Sequence, residues 1–354
     1  LDPPWEAPVI KVISGRIILA LILKSAIMKS SFQKQFITAI LFFLSLPTVN
    51  TASAQTRAEG PWWPNKLWGA DDQAGGSNWI TPEKILKAVS LVKTGQYVEL
   101  GHPYEWGMPM TGKRTYNIFI PSFPTYPPTG KDSMVFNDEY VTSEIGQVGT
   151  QFDGPGHPGR QIKMADGHLA DIFYNGVNGD EMKNPYGLQK LGVEHVKPII
   201  TRGIYIDLVA YKGVGALPDD YEITKADVLN TLSKQGMKAS DIEPGDALLF
   251  NLGWWKLWPD KKTTEGKPPY ADAELIQWLI SMKPSMVGSD AILDRGPDFM
   301  LHEELILKNG IFNLEYMNFE HMQAGNKQNI FLFIFTPVPL KGATGSPGRP
   351  LAIF

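Results

Sequence analysis

Residues 144–160 read E-I-G-Q-V-G-T-Q-F-D-G-P-G-H-P-G-R, and the reading of the fold turns on them. Five glycines and two prolines surround Gln147, Gln151, Asp153 and His157, which are spaced by four, two and four residues. In an extended chain, residues two and four apart point to one face. Gln147, Gln151 and Asp153 then look the same way. Gly154, Pro155, Gly156, Pro158 and Gly159 break the strand and turn the chain, returning His157 over that face. A glycine-rich surface turn with solvated polar groups has the same composition, so the residues alone leave both readings open.

The stretch resembles the signature H-x-G-T-H-x-D-x-P-x-H of the cyclase family of metal-dependent hydrolases, which includes bacterial kynurenine formamidases and isatin hydrolases. Here it reads Q-V-G-T-Q-F-D-G-P-G-H. Gly149, Thr150, Asp153, Pro155 and His157 match, and glutamine stands at both leading histidine positions, Gln147 and Gln151. The similarity extends over most of residues 62–354. It takes in W-G-A-D-D from Trp68, Arg202-Gly203 with Asp207, the P-G-D turn ending at Asp246, Gly253-Trp254, Gly288 with Asp290, and A-T-G-S-P from Ala343. The resemblance implies an α/β chain with the swivelling β/β/α fold in a single domain, assembled as a homodimer or larger homo-oligomer. It also supplies a later ligand pair, His302 in L-H-E-E-L and Glu315 in N-L-E-Y-M-N. The implied metal set is therefore Gln147, Gln151, Asp153, His302 and Glu315.

There is no cysteine, so thiolate ligands, disulfides and cysteine nucleophiles are excluded, and only six histidines are available. A divalent ion must be held by N and O donors with at least one anionic group among them. Glutamine is a neutral oxygen donor and a weak ligand for zinc, so exchanging two imidazoles for amides favours Mn²⁺, with Zn²⁺ as the other candidate. The glutamines have a second reading, in which they hold substrate or water by hydrogen bonds and the ion sits on Asp153, His302 and Glu315 alone.

The chemistry expected is metal-assisted hydrolysis of an amide, cyclic amide, lactone or ester in a small aromatic substrate, with His157 moving the proton. Phe152, Trp106, Trp254 and Trp255 are candidates for an aromatic wall, although each serves equally well as core packing. His102, before a proline in a turn, reads as a pocket residue or as a structural one. G-x-S-x-G is absent, and H-E-x-x-H fails because position 306 is isoleucine. The competing class is a metal-free periplasmic protein of the same fold that binds a small molecule.

The chain has 354 residues, 43% hydrophobic and 20% charged, with a formal charge of −4. That is an ordinary globular composition with no basic footprint for nucleic acid. From Met28, a basic start leads into the apolar run FITAILFFLSL at 36–46 and then T-A-S-A before Gln55. This is the layout of a signal peptide, cleaved near Ala54, and the run is too short to span a bilayer. Residues 28–54 are expected to be that peptide, 1–27 an upstream extension without a structural role, and 55–354 the hydrolase domain, periplasmic or secreted and off the membrane.

Within that domain, Thr81-Pro82-Glu83 opens a helix that Gly95 closes. Strands are expected at 97–100, 198–209, 247–252, 286–288, 311–314 and 330–337, and helices after Thr224, over 272–282 and over 302–308. Residues 111–135, rich in proline and aromatics, read as a long covering loop. The tail K-G-A-T-G-S-P-G-R-P reads as another loop.

Overall fold

The computed structural model describes residues 59–258, 260, 262–296, 298–322 and 328–354. The expected signal peptide and upstream extension lie outside them. The compact unit that contains the described residues spans Arg57–Phe354.

Nine strands build one mixed sheet. In chain order they are β1 (Tyr97–Glu99), β2 (Gln151–Asp153), β3 (Ile199–Asp207), β4 (Ala247–Asn251), β5 (Met286–Ser289), β6 (Phe312–Glu315), β7 (Ile330–Phe335), β8 (Gly345–Pro347) and β9 (Leu351–Ile353). Their order across the sheet is β1-β9-β7-β3-β4-β5-β6-β2-β8. The central four, β3 to β6, run parallel, and antiparallel strands flank them on both sides. The near-continuous apolar runs of β3 and β4 are what a parallel strand covered on both faces requires. Ile204, Ile206, Leu248 and Phe250 face a core shared with helices α2 (Lys225–Lys234) and α3 (Ala273–Met282). Leu249, Phe152, Leu314 and Phe333 face the opposite core, where helix α1 (Pro82–Val89) contributes Ile85.

The helix starts follow the sequence signals. Thr81 accepts from the Lys84 N–H, Thr224 and Asp227 cap each other reciprocally, and Asp272 accepts from the Leu275 N–H. Two of the stretches that carry the family resemblance are joined by a buried ion pair. Arg202 on β3 grips Asp246 with Nε at 3.0 Å and Nη2 at 2.6 Å, while Lys84 of α1 reaches the same carboxylate at 2.5 Å. Arg202-Gly203 and the P-G-D turn thus lock the start of β4 to α1 and do not enter the site.

Three expectations change. First, 111–135 is only in part a loop. Tyr116–Phe119 pairs with Tyr140–Ser143, and Tyr126–Thr129 with Met134–Phe136, as two-stranded ribbons. Proline is tolerated there because such ribbons have open edges that do not need its missing N–H. The ribbons leave Phe119, Phe123, Met134, Phe136 and Tyr140 exposed. Second, the glycine-rich tail supplies β8. A Cβ on Gly345 would lie 2.6 Å from the Phe152 carbonyl oxygen on β2 and 2.4 Å from that of Gly146, so glycine lets this strand approach so closely. Third, 302–308 is a π-helix, a wide turn that recurs at functional sites. α1 also stops earlier than Gly95, at Val89.

Candidate metal centre

The site is assembled on β2 and β6. Their antiparallel register sets Gln151 opposite Glu315 and Asp153 opposite Asn313. Alternation then separates the two faces: Phe152 and Leu314 go into the core, and Gln151, Asp153, Asn313 and Glu315 share the other side. Beyond Asp153, Gly154 donates to the Thr344 carbonyl and the His157 N–H donates to the Gly154 carbonyl. This turn brings His157 Nε2 to 3.8 Å from Asp153 Oδ1. Gln147 precedes the strand in a turn, next to Gly149 with φ +62°, a backbone that glycine adopts without strain.

His302 arrives from the first residue of the π-helix. Its Nδ1 donates to Asp294 Oδ2 at 2.7 Å, and the same oxygen accepts the His302 backbone N–H at 2.9 Å. That fixes the ring so that Nε2 lies 3.3 Å from both Asp153 Oδ2 and Glu315 Oε1. Gln151 Nε2 donates to the other Glu315 oxygen at 3.1 Å. Asp153, His157 and His302 each present one donor atom, all within 4.8 Å of one another.

Electrostatics follow from crowding these groups in a buried place. Burial opposes ionisation of Asp153, yet His157 and His302 outweigh it and hold the carboxyl below its usual range. Burial, reinforced by the Asp153 charge, pushes Glu315 up to about 7. Burial also works against a charged His302, but Asp153, Asp294 and Glu315 keep its pKa well above the ordinary value. Burial lowers that of His157, and the charges of His302 and Arg114 add to the effect against the pull of Asp153.

Asp153 Oδ1 and the amide oxygens of Gln147 and Gln151 are buried without a hydrogen-bond partner, while Asp153 Oδ2 and Glu315 Oε1 meet only His302 Nε2, at 3.3 Å. The Gln147 amide comes near enough to help hold Asp153 ionised, but neither of its polar atoms completes a hydrogen bond. Buried acceptors without donors cost several kilocalories unless a cation meets them. The converging donor set of Asp153, His157 and His302 fits a divalent ion, with the Glu315 carboxylate 3.3 Å from His302 and the buried Gln147 and Gln151 amides nearby.

Left-handed backbone occurs on both sides of this group. Phe299 has φ +45° and stands edge-on to His302 with ring centres 6.1 Å apart, and Tyr316 has φ +53° directly after Glu315. Such conformations in bulky residues cost about 1–3 kcal/mol and persist where neighbours impose them. Tyr316 is held by Thr150 Oγ1 on its carbonyl and Thr111 Oγ1 on its hydroxyl, each at 2.7 Å.

A family model described as "Putative cyclase" matches residues 98–293. The chain belongs to the cyclase family. A crystal structure of a novel cyclase is 29% identical, covering 81% of this chain and 96% of its own, with a TM-score of 0.71. Isatin hydrolase A from Labrenzia aggregata, solved with benzyl benzoate, is 19% identical over 76% of this chain and 98% of its own, with a TM-score of 0.54. Isatin hydrolase A from Ralstonia solanacearum is 17% identical over 73% and 91%, with a TM-score of 0.50. These last two are similar in fold. No curated protein matches the chain. The mixed α/β sheet seen here is that of the cyclase relatives.

The aromatic candidates divide. Phe152 is fully buried against Phe312 and Phe335 on the far face of the sheet, so it packs the core and cannot line the site. Trp254 is likewise fully buried, its indole N–H donating to the Leu217 carbonyl at 3.1 Å. Trp255 is half-buried with its backbone N–H on Asp290, and Trp106 is 76% exposed on a surface loop. The rings beside the cluster are others: Phe299, Tyr316, and Trp258 at 6.0 Å from Tyr316. His102 stacks on Trp258 at 4.4 Å, and burial pushes its pKa down to about 4. Sequence reasoning also missed Asp294, eight residues before His302. Asking which carboxylate orients the second nitrogen of a candidate histidine ligand would have pointed to it. Accordingly, Asp294→Asn should weaken metal affinity about 10–100-fold with little change in fold. Titration calorimetry giving an unchanged affinity would contradict that role.

Proposed function

We propose that this protein is a metal-dependent hydrolase that cleaves an amide, cyclic amide, lactone or ester bond in a small aromatic substrate. The observation that carries the reading is the buried convergence of Asp153, His157 and His302, with Glu315 beside them. Membership of the cyclase family and the likeness to isatin hydrolases in fold support it.

A divalent ion held by Asp153, His302 and Glu315, with Gln147 and Gln151, would polarise a carbonyl and lower the pKa of a water. The chain's own residues do the rest. Asp294 keeps the His302 ring in one orientation. His157, partly open to solvent and beside Asp153, takes a proton from the attacking water and returns one to the leaving group. Tyr316, Trp258 and Phe299 offer faces and edges to a planar substrate.

The test is a panel of N-formyl arylamines, cyclic amides and aryl lactones offered to Mn²⁺-loaded protein. Hydrolysis of at least one class, lost on chelation and restored by metal, is the expected result. Tight binding of panel members without turnover, by a protein that takes up no divalent metal, would instead favour the metal-free binding protein.

A further inference from the structure

We infer that residues 117–143 form an interface arm whose partner is a second copy of this chain, arm set against arm about a two-fold axis. The inference stands independently of the hydrolase reading.

The arm is one long hairpin made of the two ribbons. Tyr116–Phe119 pairs with Tyr140–Ser143, and beyond them Tyr126–Thr129 pairs with Met134–Phe136. Its root is anchored to the body. Tyr116 is buried with Met108 and Val148, the Thr115 N–H donates to Glu144 Oε2 at 2.7 Å, and Thr111 Oγ1 lies 2.7 Å from the Tyr316 hydroxyl. Past the root, residues 117–143 are all exposed except the half-buried Thr125 and Ser143. The hydrogen bonds of the arm run between its own strands and turns. A two-stranded ribbon by itself is marginal in water and gains its stability by packing on something else.

Composition and area indicate what that is. The four strands read Y-N-I-F, Y-P-P-T, M-V-F and Y-V-T-S, without one charged residue. The charges of the arm, Lys131, Asp132, Asp138 and Glu139, fall in its turns. Ile118, Phe119, Phe123, Met134, Phe136 and Tyr140 are between 42% and 76% exposed. With their apolar neighbours they offer on the order of 1,000 Å², taking roughly 150–250 Å² for each whole aromatic side chain. A monomer leaves apolar patches of only about 300–600 Å² open. A stable interface takes about 800 Å² from each partner, so the arm has the size of an interface.

Strand edges decide between partners. Sheets guard an open edge with charge, proline or a bulge. Pro127 and Pro128 stand on one strand of the outer ribbon, whereas the opposite strand, Met134–Phe136, has neither charge nor proline. An open backbone edge needs hydrogen-bonding partners, which lipid does not offer. One lysine against three acids also gives the arm the wrong sign for an anionic membrane. A second arm supplies the matching edge, because a strand that meets its own copy across a two-fold axis runs antiparallel to it.

The experiment is sedimentation equilibrium of the full chain, with hydrogen exchange followed over 134–136, in wild type, in the double variant Met134→Lys with Phe136→Lys, and in Leu86→Lys. Leu86, on α1, is 69% exposed and serves as the control. Wild type is expected to be a dimer whose exchange over 134–136 is slow and becomes fast on dilution to monomer. The double variant should dimerise at least about 100-fold more weakly, since lysines brought together across the axis repel. Its circular dichroism should match wild type, because both side chains are exposed in the single chain. Leu86→Lys should dimerise as wild type does. A wild type that is monomeric at every concentration overturns the inference. So does a double variant of wild-type dimer strength, an equal loss in Leu86→Lys, or exchange over 134–136 that ignores concentration. A monomer that binds phosphatidylcholine–phosphatidylglycerol vesicles through the arm overturns it too. If the double variant fails to fold, the concentration dependence of exchange in wild type decides alone.

Discussion

Asp153→Ala is expected to empty the metal site, while His157→Ala should leave it filled and lower kcat by about 10²–10⁴-fold, the usual span for a proton-transfer residue. The difference follows from where the two groups sit. Asp153 lies fully buried at the centre of the cluster, between His157 at 3.8 Å and His302 at 3.3 Å. Its loss leaves His302 with Glu315 and Asp294 and removes the central anionic ligand. His157 stands at the partly open side, 3.8 Å from Asp153, and is the one histidine of the signature that this chain keeps. Metal content of each variant, read beside kcat per bound ion, separates the roles. If His157→Ala sheds the ion while its loaded fraction keeps full activity, His157 is a ligand and another group moves the proton.

A second large effect is expected at the two glutamines. Replacing Gln147 and Gln151 together by histidine should raise the ratio of Zn²⁺ to Mn²⁺ affinity at least about tenfold, because imidazole suits zinc and amide oxygen does not. The wild-type protein, stripped by chelation, should regain more activity with Mn²⁺ than with Zn²⁺ at matched free metal. The geometry gives the amides a definite part in this. Gln151 spends its N–H on Glu315 and leaves its oxygen unpaired, and Gln147 is buried with its oxygen equally unpaired. A double variant with an unchanged affinity ratio would show that the amides do not touch the ion, and that they bind substrate or water instead.

How far the sequence could be read depended on how local each signal was. The helix caps at Thr81, Thr224 and Asp272 and the apolar runs of β3, β4 and β7 are local, and they led directly to elements. The bringing together of Asp153 with Glu315 needs an antiparallel pairing between distant strands, which only the family resemblance supplied. The aromatic wall was misjudged at Phe152 because strand alternation next to Asp153 sends it to the far face, a consequence of period two that was available from the sequence. Trp254 was misjudged for a different reason: no local pattern says which side of β4 the following turn takes. Asp294 could not be found by spacing at all, because its role comes from a loop set beneath the His302 ring.

The central claim is that the buried carboxylate–histidine cluster holds a divalent ion. Calorimetric titration of dialysed, metal-free protein with Mn²⁺, confirmed by elemental analysis after gel filtration, tests it most directly. The account predicts one tightly held ion per chain in the wild type and none in Asp153→Ala. A wild-type protein that takes up no divalent metal, or an Asp153→Ala variant that binds Mn²⁺ as tightly as wild type, would contradict it.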